Sequence, residues 1–221
     1  MWYRRVVGVA FLVVGLGAVA VGTVGISGIF DPKSPDVKSF QVKVPPKRKL
    51  GGQVNGSPAS DQYLGVPFVP LYYSIPALGL HHIRIYPEQD PHGSLVIPPI
   101  QLGVAWWEGG AKAGASTGTT LLAGHDDWVG FGNGPMQRIW YLKPGTTATL
   151  YGASGQHLSY IAVALRTIVK TAFPSKVSQL ITSGDSNRLV MVTCGGVFEP
   201  NQHNWNSDVV ATFMPISRIA G

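Results

Sequence analysis

The sequence predicts an all-β domain, a barrel or a sandwich, preceded by an N-terminal membrane anchor. Glycine and proline, with 28 and 17 residues, make up about a fifth of the 221-residue chain, which disfavours a helical bundle. The apolar runs after the first third of the chain are short, rich in Val, Ile, Tyr and Thr, and separated by turn residues. Because 45% of the residues are hydrophobic, the chain as a whole has enough apolar material for a core and is not intrinsically disordered.

Seven segments have the composition and length of strands. They cover residues 71–75, 82–86, 119–123, 147–151, 157–170, 188–193 and 208–213. The fifth segment is long enough to form either two strands or one bent strand. Met136, Ile139 and Trp140 are spaced to share one helical face, so residues 136–141 are predicted to form a short helix, and residues 177–181 another helical turn.

The N-terminal segment has the length and polarity of a membrane span. Residues 6–30 contain no charged side chain and, at about 1.5 Å per residue, are long enough to cross a bilayer. Arg4 and Arg5 precede the span, so the positive-inside rule places the N-terminus in the cytoplasm and the rest of the chain outside. A signal peptide cleaved after residues 18–20 is the alternative, and it also exports the remainder.

Residues 31–60 are rich in Lys, Pro and Gly and show no sustained period, which predicts a flexible linker between the anchor (residues 1–30) and a globular domain (residues 61–221). The net charge of +6 arises within residues 1–50, and the remainder of the chain carries nine positive and nine negative groups. A globular domain without net charge or a basic run lacks the electrostatic footprint of a nucleic-acid-binding protein. We therefore expect no nucleic-acid partner.

Cys194 is the single cysteine of the chain and ends a buried-strand pattern. It cannot form an intramolecular disulfide, so a small buried hydrophobe and a thiol nucleophile are the two interpretations. Two small residues, Gly195 and Gly196, follow it and leave space for a substrate backbone beside the sulfur, and Thr193 and Gly195 are the predicted substrate-binding residues. A thiol nucleophile needs a base or an electropositive partner. His125 also follows a strand pattern and a glycine, so it is the candidate base.

Two segments resemble the signature motifs of the sortases, the cysteine transpeptidases of Gram-positive cell envelopes. They are Thr-Leu-Leu-Ala-Gly-His at 120–125 and Val-Met-Val-Thr-Cys-Gly-Gly at 190–196. Residues 93–98 and 104–111 are similar to segments of the actinobacterial class F branch, and residues 142–145 resemble its Leu-x-Pro-Gly turn. The resemblance spans residues 71–215 and implies a sortase-like closed β-barrel with one or two short helices.

The resemblance implies that Cys194 is the nucleophile, that His125 is the acid and base, and that Thr193 and Gly195 bind substrate. The implied partners are proteins with an LPXTG-type sorting motif and an amine acceptor on a peptidoglycan precursor or another protein. The implied location is the outer face of the membrane, with a single-pass anchor. No cofactor or metal is expected, since no zinc spacing or dinucleotide motif occurs, and Asp126 and Asp127 are predicted to form a solvated turn.

The sequence departs from the sortase pattern at one position. Sortases carry an arginine shortly before the last strand, and Asn206 stands where it is expected. Asparagine can donate a hydrogen bond but has no charge and a shorter reach. We expect Asn206 to point toward Cys194 as a weaker catalytic donor, unless another cation such as Arg84 or Arg166 lies beside the thiol. A catalytically impaired sortase-like module that binds envelope components is the alternative function, and a cysteine hydrolase is a third.

Overall fold

The computed structural model describes residues 37–42, 66–89, 92–93, 95–99, 102–128, 130–173, 176 and 187–216. These residues form eleven strands and several short 3-10 turns. The strands are β1 (Phe40–Gln41), β2 (Tyr72–Ile75), β3 (Leu80–Glu88), β4 (Val104–Trp107), β5 (Thr119–Ala123), β6 (Asp127–Trp128), β7 (Gly132–Asn133), β8 (Thr147–Tyr151), β9 (His157–Val169), β10 (Arg188–Glu199) and β11 (Asn204–Pro215). The predicted anchor and the predicted turn at 177–181 lie outside the described residues.

Eight strands close into a barrel, as the sequence predicted. The order around the sheet is β9, β11, β10, β5, β4, β3, β2 and β8, and β8 pairs again with β9 to complete the circle. Most neighbours run antiparallel, but β10 runs parallel to β5 and β3 runs parallel to β4. The parallel pair β5–β10 matters for function because the carboxyl ends of parallel strands meet at one edge.

The central strands are buried on both faces. Leu189 and Met191 of β10 point into the barrel interior, where they join the largest apolar cluster. Val190 and Val192 alternate with them and join a second apolar cluster on the outer face. Leu95 packs into that outer cluster from the connection between β3 and β4. Burial on both faces explains why the apolar run of β10 is continuous rather than alternating.

All seven predicted strands are present, and the structure differs from the prediction in the bounds of several strands and in containing additional strands. The segment predicted from residue 157 is one 13-residue strand, β9, which pairs with β8 along its first part and with β11 along its last part. β10 extends beyond residue 193 to Glu199, because β11 continues to pair with it across an irregularity between Gly195 and Phe198. β4 was not predicted, since its sequence Val-Ala-Trp-Trp has only one β-branched residue.

Part of the predicted linker pairs with the barrel. β1 lies antiparallel to β9, and the Val42 amide donates to the Val163 carbonyl at 2.7 Å. Phe40 packs against the main apolar cluster. The predicted helix near residue 136 is a 3-10 turn over Gln137–Tyr141, and Ile139 and Trp140 are its buried side chains. No helix within the described ranges is both long and apolar enough to span a membrane.

Candidate active site

Cys194 and His125 are placed by two neighbouring parallel strands. β5 leads into His125, and β10 runs beside it in the same direction. The Gly124 amide donates to the Val192 carbonyl at 3.2 Å, and the Thr193 hydroxyl donates to the Gly124 carbonyl at 2.9 Å. These two bonds join the residues immediately before His125 and Cys194, so both functional side chains leave the sheet at the same edge.

Tight packing fixes the backbone at Cys194. The Trp140 indole donates to the Cys194 carbonyl at 2.9 Å. A Cβ atom added to Gly195 would lie 2.6 Å from a Val209 methyl and 3.3 Å from the Trp140 indole nitrogen, so only glycine fits there without rearrangement. Thr193 is buried and bonded to Gly124. Thr193 and Gly195 thus hold the strand in place, whereas the sequence predicted that they line the substrate site.

Lys170 is a third member of the site, and the sequence analysis did not identify it. It follows the last residue of β9 and begins a 3-10 turn over Lys170–Ala172. Its ammonium nitrogen lies 3.5 Å from the Cys194 sulfur and 2.7 Å from the Asn204 side-chain oxygen. β9 pairs with β11, and β11 pairs with β10, which brings Lys170 to the thiol across two strand pairings. No local sequence motif marks the contact between Lys170 and Cys194. Lys170 can therefore be identified as a site residue only from the folded structure.

Burial is the main influence on the Cys194 thiol. It raises the pKa of Cys194 to about 12, the Asp126 and Asp208 carboxylates add to the rise, and the Lys170 ammonium opposes it. Asp208 stands directly opposite Cys194 in the β10–β11 register. Burial also raises the pKa of Asp208 to about 6, again against the effect of Lys170. The thiolate is therefore disfavoured by its surroundings, and Lys170 is the contact that favours it.

His125 lies beside the short β6–β7 hairpin. The Trp128 ring meets it edge-on with 4.7 Å between ring centroids. Burial lowers the pKa of His125 below its usual value of 6.5, while the Asp127 carboxylate works in the opposite direction. Asp127 also accepts a hydrogen bond from the Trp205 indole at 3.1 Å. At neutral pH the His125 imidazole is therefore uncharged, which is the form that can accept a proton.

Asp126 is buried, contrary to the prediction of a solvated turn. Its side chain is 2% exposed, and its Oδ2 atom has no hydrogen-bond partner among the described residues. Burial raises the pKa of Asp126 to about 8, and the neighbouring Asp127 carboxylate adds to the rise. Asp127 is only partly buried and bonded to Trp205. At neutral pH, Asp126 is mainly protonated, so its opposition to the Cys194 thiolate is reduced.

Asn206 has different contacts from those that the sequence predicted. Its side-chain oxygen accepts hydrogen bonds from the Val197 amide at 3.0 Å and from the Ser207 hydroxyl at 2.8 Å. The same oxygen would lie 2.5 Å from a Cβ atom at Gly196, which has a positive φ of 88°. Asn206 thus stabilises the irregular turn after Cys194, and it is Lys170 that contacts the sulfur.

The two arginines considered as substitutes lie elsewhere. The Arg84 guanidinium stacks over the Tyr72 and Tyr86 rings, at 4.9 and 5.5 Å from their centroids. Arg166 donates to the Gln41 side chain of β1. The residues that the structure describes contain no group of three or more His, Cys, Asp or Glu side chains that could hold a metal ion.

The buried Asp126 predicts a distinctive pH dependence of stability. Its pKa rises from 3.8 to about 8 on folding, so the folded state binds this proton more tightly. Between these values, each pH unit should cost at most about 1.4 kcal/mol of stability from this group, and the loss grows as pH rises. Thermal unfolding at pH 5 and pH 8 should therefore show the parent losing stability relative to Asp126→Asn. The same pH dependence in both proteins would contradict this assignment.

The part of the chain that is similar to known proteins contains the candidate site residues. The family model of the sortase domain matches residues 74–212, which is more than half of the chain and includes Cys194, His125 and Lys170. No curated protein matches the chain.

Solved structures with a similar fold include three sortases. The lid mutant of sortase A from Corynebacterium diphtheriae is 14% identical, with a TM-score of 0.52 over 71% of this chain and 74% of that one. Sortase C-3 from Streptococcus pneumoniae is 21% identical, with a TM-score of 0.51 over 76% and 70% of the two chains. Sortase C1 from Streptococcus suis is 16% identical, with a TM-score of 0.50 over 70% and 75%. The closed barrel, the family match and these neighbours agree, and the chain belongs to the sortase family.

Proposed function

We propose that the protein is a cysteine transpeptidase that cleaves an LPXTG-type sorting motif and transfers the acyl group to an amine on a cell-wall precursor or another protein. The observation that carries the proposal is the pair of hydrogen bonds joining Thr193 and Val192 to Gly124. They tie together the chain segments that precede Cys194 and His125, where the parallel pairing of β5 and β10 ends. The sheet holds the nucleophile and the base in fixed positions, and covalent catalysis requires such an arrangement.

The reaction would proceed in two acyl transfers. The Cys194 thiol gives its proton to His125, and the sulfur attacks the threonine carbonyl of the sorting motif. The peptide C–N bond breaks, His125 returns the proton to the leaving amine, and a thioester remains. The acceptor amine then attacks the thioester, the C–S bond breaks, and the proton lost by the amine restores the thiol. A positioned acid and base of this kind contributes about 10²–10⁴-fold to the rate.

The surroundings of the site suit an apolar peptide. Exposed apolar side chains flank the three polar groups: Trp128 beside His125, Val169 before Lys170 and Val197 after Cys194. An LPXTG-type motif offers leucine and proline side chains that could cover such a surface. The class F assignment also remains our proposal and rests on the sequence segments at 93–98 and 104–111, since the similar solved structures are sortases A and C.

The alternative of an impaired binding module rested on the uncharged Asn206. The contact of Lys170 with the sulfur weakens this alternative, because it shows that a cation lies against the thiol. The raised pKa of Cys194 still favours a slow enzyme over a fast one, as the thiolate is a minor form at neutral pH.

The test is incubation of the full-length protein in detergent with a quenched LPXTG-type peptide, with and without an amine acceptor. Mass spectrometry should show the peptide cleaved at threonine and joined to the acceptor. Cleavage with water as the sole acceptor would identify a hydrolase. Intact peptide after long incubation would instead support the binding module.

We also propose a single-pass location, with residues 1–5 in the cytoplasm and the barrel on the outer face of the membrane. The uncharged residues 6–30 and the preceding Arg4 and Arg5 support it. Protease added to intact protoplasts should remove the barrel domain, whereas a cytoplasmic marker protein should survive. Full protection of the barrel until the membrane is lysed would contradict this topology.

A further inference from the structure

The groups that set the charge around the Cys194 sulfur come from three parts of the fold. Lys170 lies at the end of β9, Asp208 lies on β11, and His125 and Asp126 follow β5. The two carboxyl groups disfavour a negative sulfur, and His125 is neutral at physiological pH because burial lowers its pKa. Lys170 is the cation that the structure places in contact with the sulfur.

Asn204 holds the Lys170 ammonium in this position. The Asn204 side-chain oxygen accepts from Lys170 at 2.7 Å and from the Trp205 amide at 2.9 Å, so the backbone fixes its orientation. A lysine side chain has many rotamers, and a fixed acceptor reduces the number that it populates. Because the asparagine is neutral, it positions the ammonium without cancelling its charge. An aspartate at the same position would have formed an ion pair and weakened the field at the sulfur.

We propose that Lys170 is a catalytic residue of this enzyme, pairing through its ammonium with the Cys194 thiolate, and that Asn204 is its positioning residue. The inference rests on the proposed transpeptidase function and names the cationic group of the same site. In the activation step, the thiol proton moves to His125, and the Lys170 ammonium pairs with the sulfur that is left negative. The role that the sequence predicted for Asn206 is thus filled by a residue from a different strand.

The single cysteine makes a direct test possible, because every alkylated molecule reports on Cys194. The rate of iodoacetamide alkylation, followed by intact mass, measures the thiolate fraction and needs no peptide substrate. The full-length parent would be compared with Lys170→Met, Lys170→Arg and Asn204→Leu between pH 7 and 9. Lys112→Met is the matched control, since Lys112 lies in the loop before β5, at the opposite end of that strand from His125.

Removal of the charge should slow alkylation at every pH in this range. We expect about a 10-fold loss for Lys170→Met, which corresponds to a rise of one unit in the thiol pKa. Asn204→Leu should lose two- to five-fold, Lys170→Arg should stay within about three-fold of the parent, and Lys112→Met should match the parent. Peptide transfer should fall in the same order.

Two results would overturn the proposal: a folded Lys170→Met variant that alkylates like Lys112→Met, or a folded Asn204→Leu variant with parental rates. Unfolding cannot mimic the expected result, because it would expose the thiol and accelerate alkylation. If Lys170→Met does not fold, the alkylation rate of Asn204→Leu tests the proposal, since this variant keeps the lysine and removes the acceptor of its hydrogen bond. Failure of the proposed function looks different. The alkylation rates would then follow the expected order, while the parent transferred no peptide.

Discussion

Replacement of Cys194 by alanine is expected to abolish both cleavage of the sorting peptide and formation of a covalent acyl-enzyme. The sulfur is the atom that forms the thioester, and no second cysteine exists in the chain to replace it. Cys194→Ser should leave at most a trace of activity, because a hydroxyl is much harder to ionise than a thiol whose pKa burial already raises to about 12. Peptide cleavage and intact mass of the protein after substrate addition measure the two effects.

A chemical control matches the alanine variant. Alkylation of the parent at its single thiol should give the same loss, which separates a missing nucleophile from any change in folding. The alanine variant should keep the parental unfolding temperature within a few degrees, because Trp140 holds the Cys194 backbone and the substitution removes a single side-chain atom. Cleavage by the alanine variant at more than about a hundredth of the parental rate would rule out Cys194 as the nucleophile.

The strands were predictable where composition and turn residues agree. β5 and β8 begin and end at the predicted residues, since each is a short apolar run bounded by turn formers. β4 could not be found in this way, because its sequence Val-Ala-Trp-Trp has a single β-branched residue and lacks the Val, Ile, Tyr and Thr content that marks the other strands. The extension of β10 depends on its partner β11, and two consecutive glycines hide it from a propensity argument.

The sequence also predicts where two residues of the candidate active site lie. Cys194 and His125 each follow a strand pattern, so their place at a sheet edge follows from local information. Lys170 comes 24 residues before Cys194, and its contact with the sulfur depends on how β9, β11 and β10 pair. The contacts of the Asn206 side-chain oxygen could not be predicted, because the spacing from the last strand does not fix the direction of this side chain. The backbone irregularity after Gly195 gives its oxygen other partners.

A tertiary contact thus explains how a chain without the family's arginine can still present a cation to its thiol. β11 pairs with both β9 and β10, and this arrangement places Lys170, the residue that follows β9, against the Cys194 sulfur. Asn204, near the start of β11, then serves as the acceptor that holds the lysine. Relatives in which a lysine stands at the end of β9 and asparagine replaces the usual arginine should share this arrangement.

Replacement of His125 by glutamine is expected to lower the rate of peptide transfer by about 10²–10⁴-fold. Glutamine keeps the approximate size of the imidazole and can donate a hydrogen bond, but it cannot accept and return a proton at neutral pH. Burial lowers the pKa of His125 below 6.5, so the neutral imidazole is ready to take the thiol proton. Because burial holds the pKa of His125 below its usual value, the parent's activity should fall only at a pH more acidic than the ordinary histidine range, and the glutamine variant should lack this acid limb.

His157→Gln is the matched control for this variant. His157 stands at the first residue of β9, whereas Lys170 follows the last, so the length of a 13-residue strand separates it from the catalytic edge. Its ring nitrogen lies 3.1 Å from the Gly155 carbonyl, a local contact that does not involve the thiol. Peptide transfer measured from pH 5 to 9 should be parental in His157→Gln and deeply reduced in His125→Gln. Equal transfer rates in the two variants would exclude His125 as the acid and base, because loss of its imidazole would then have no effect on the reaction.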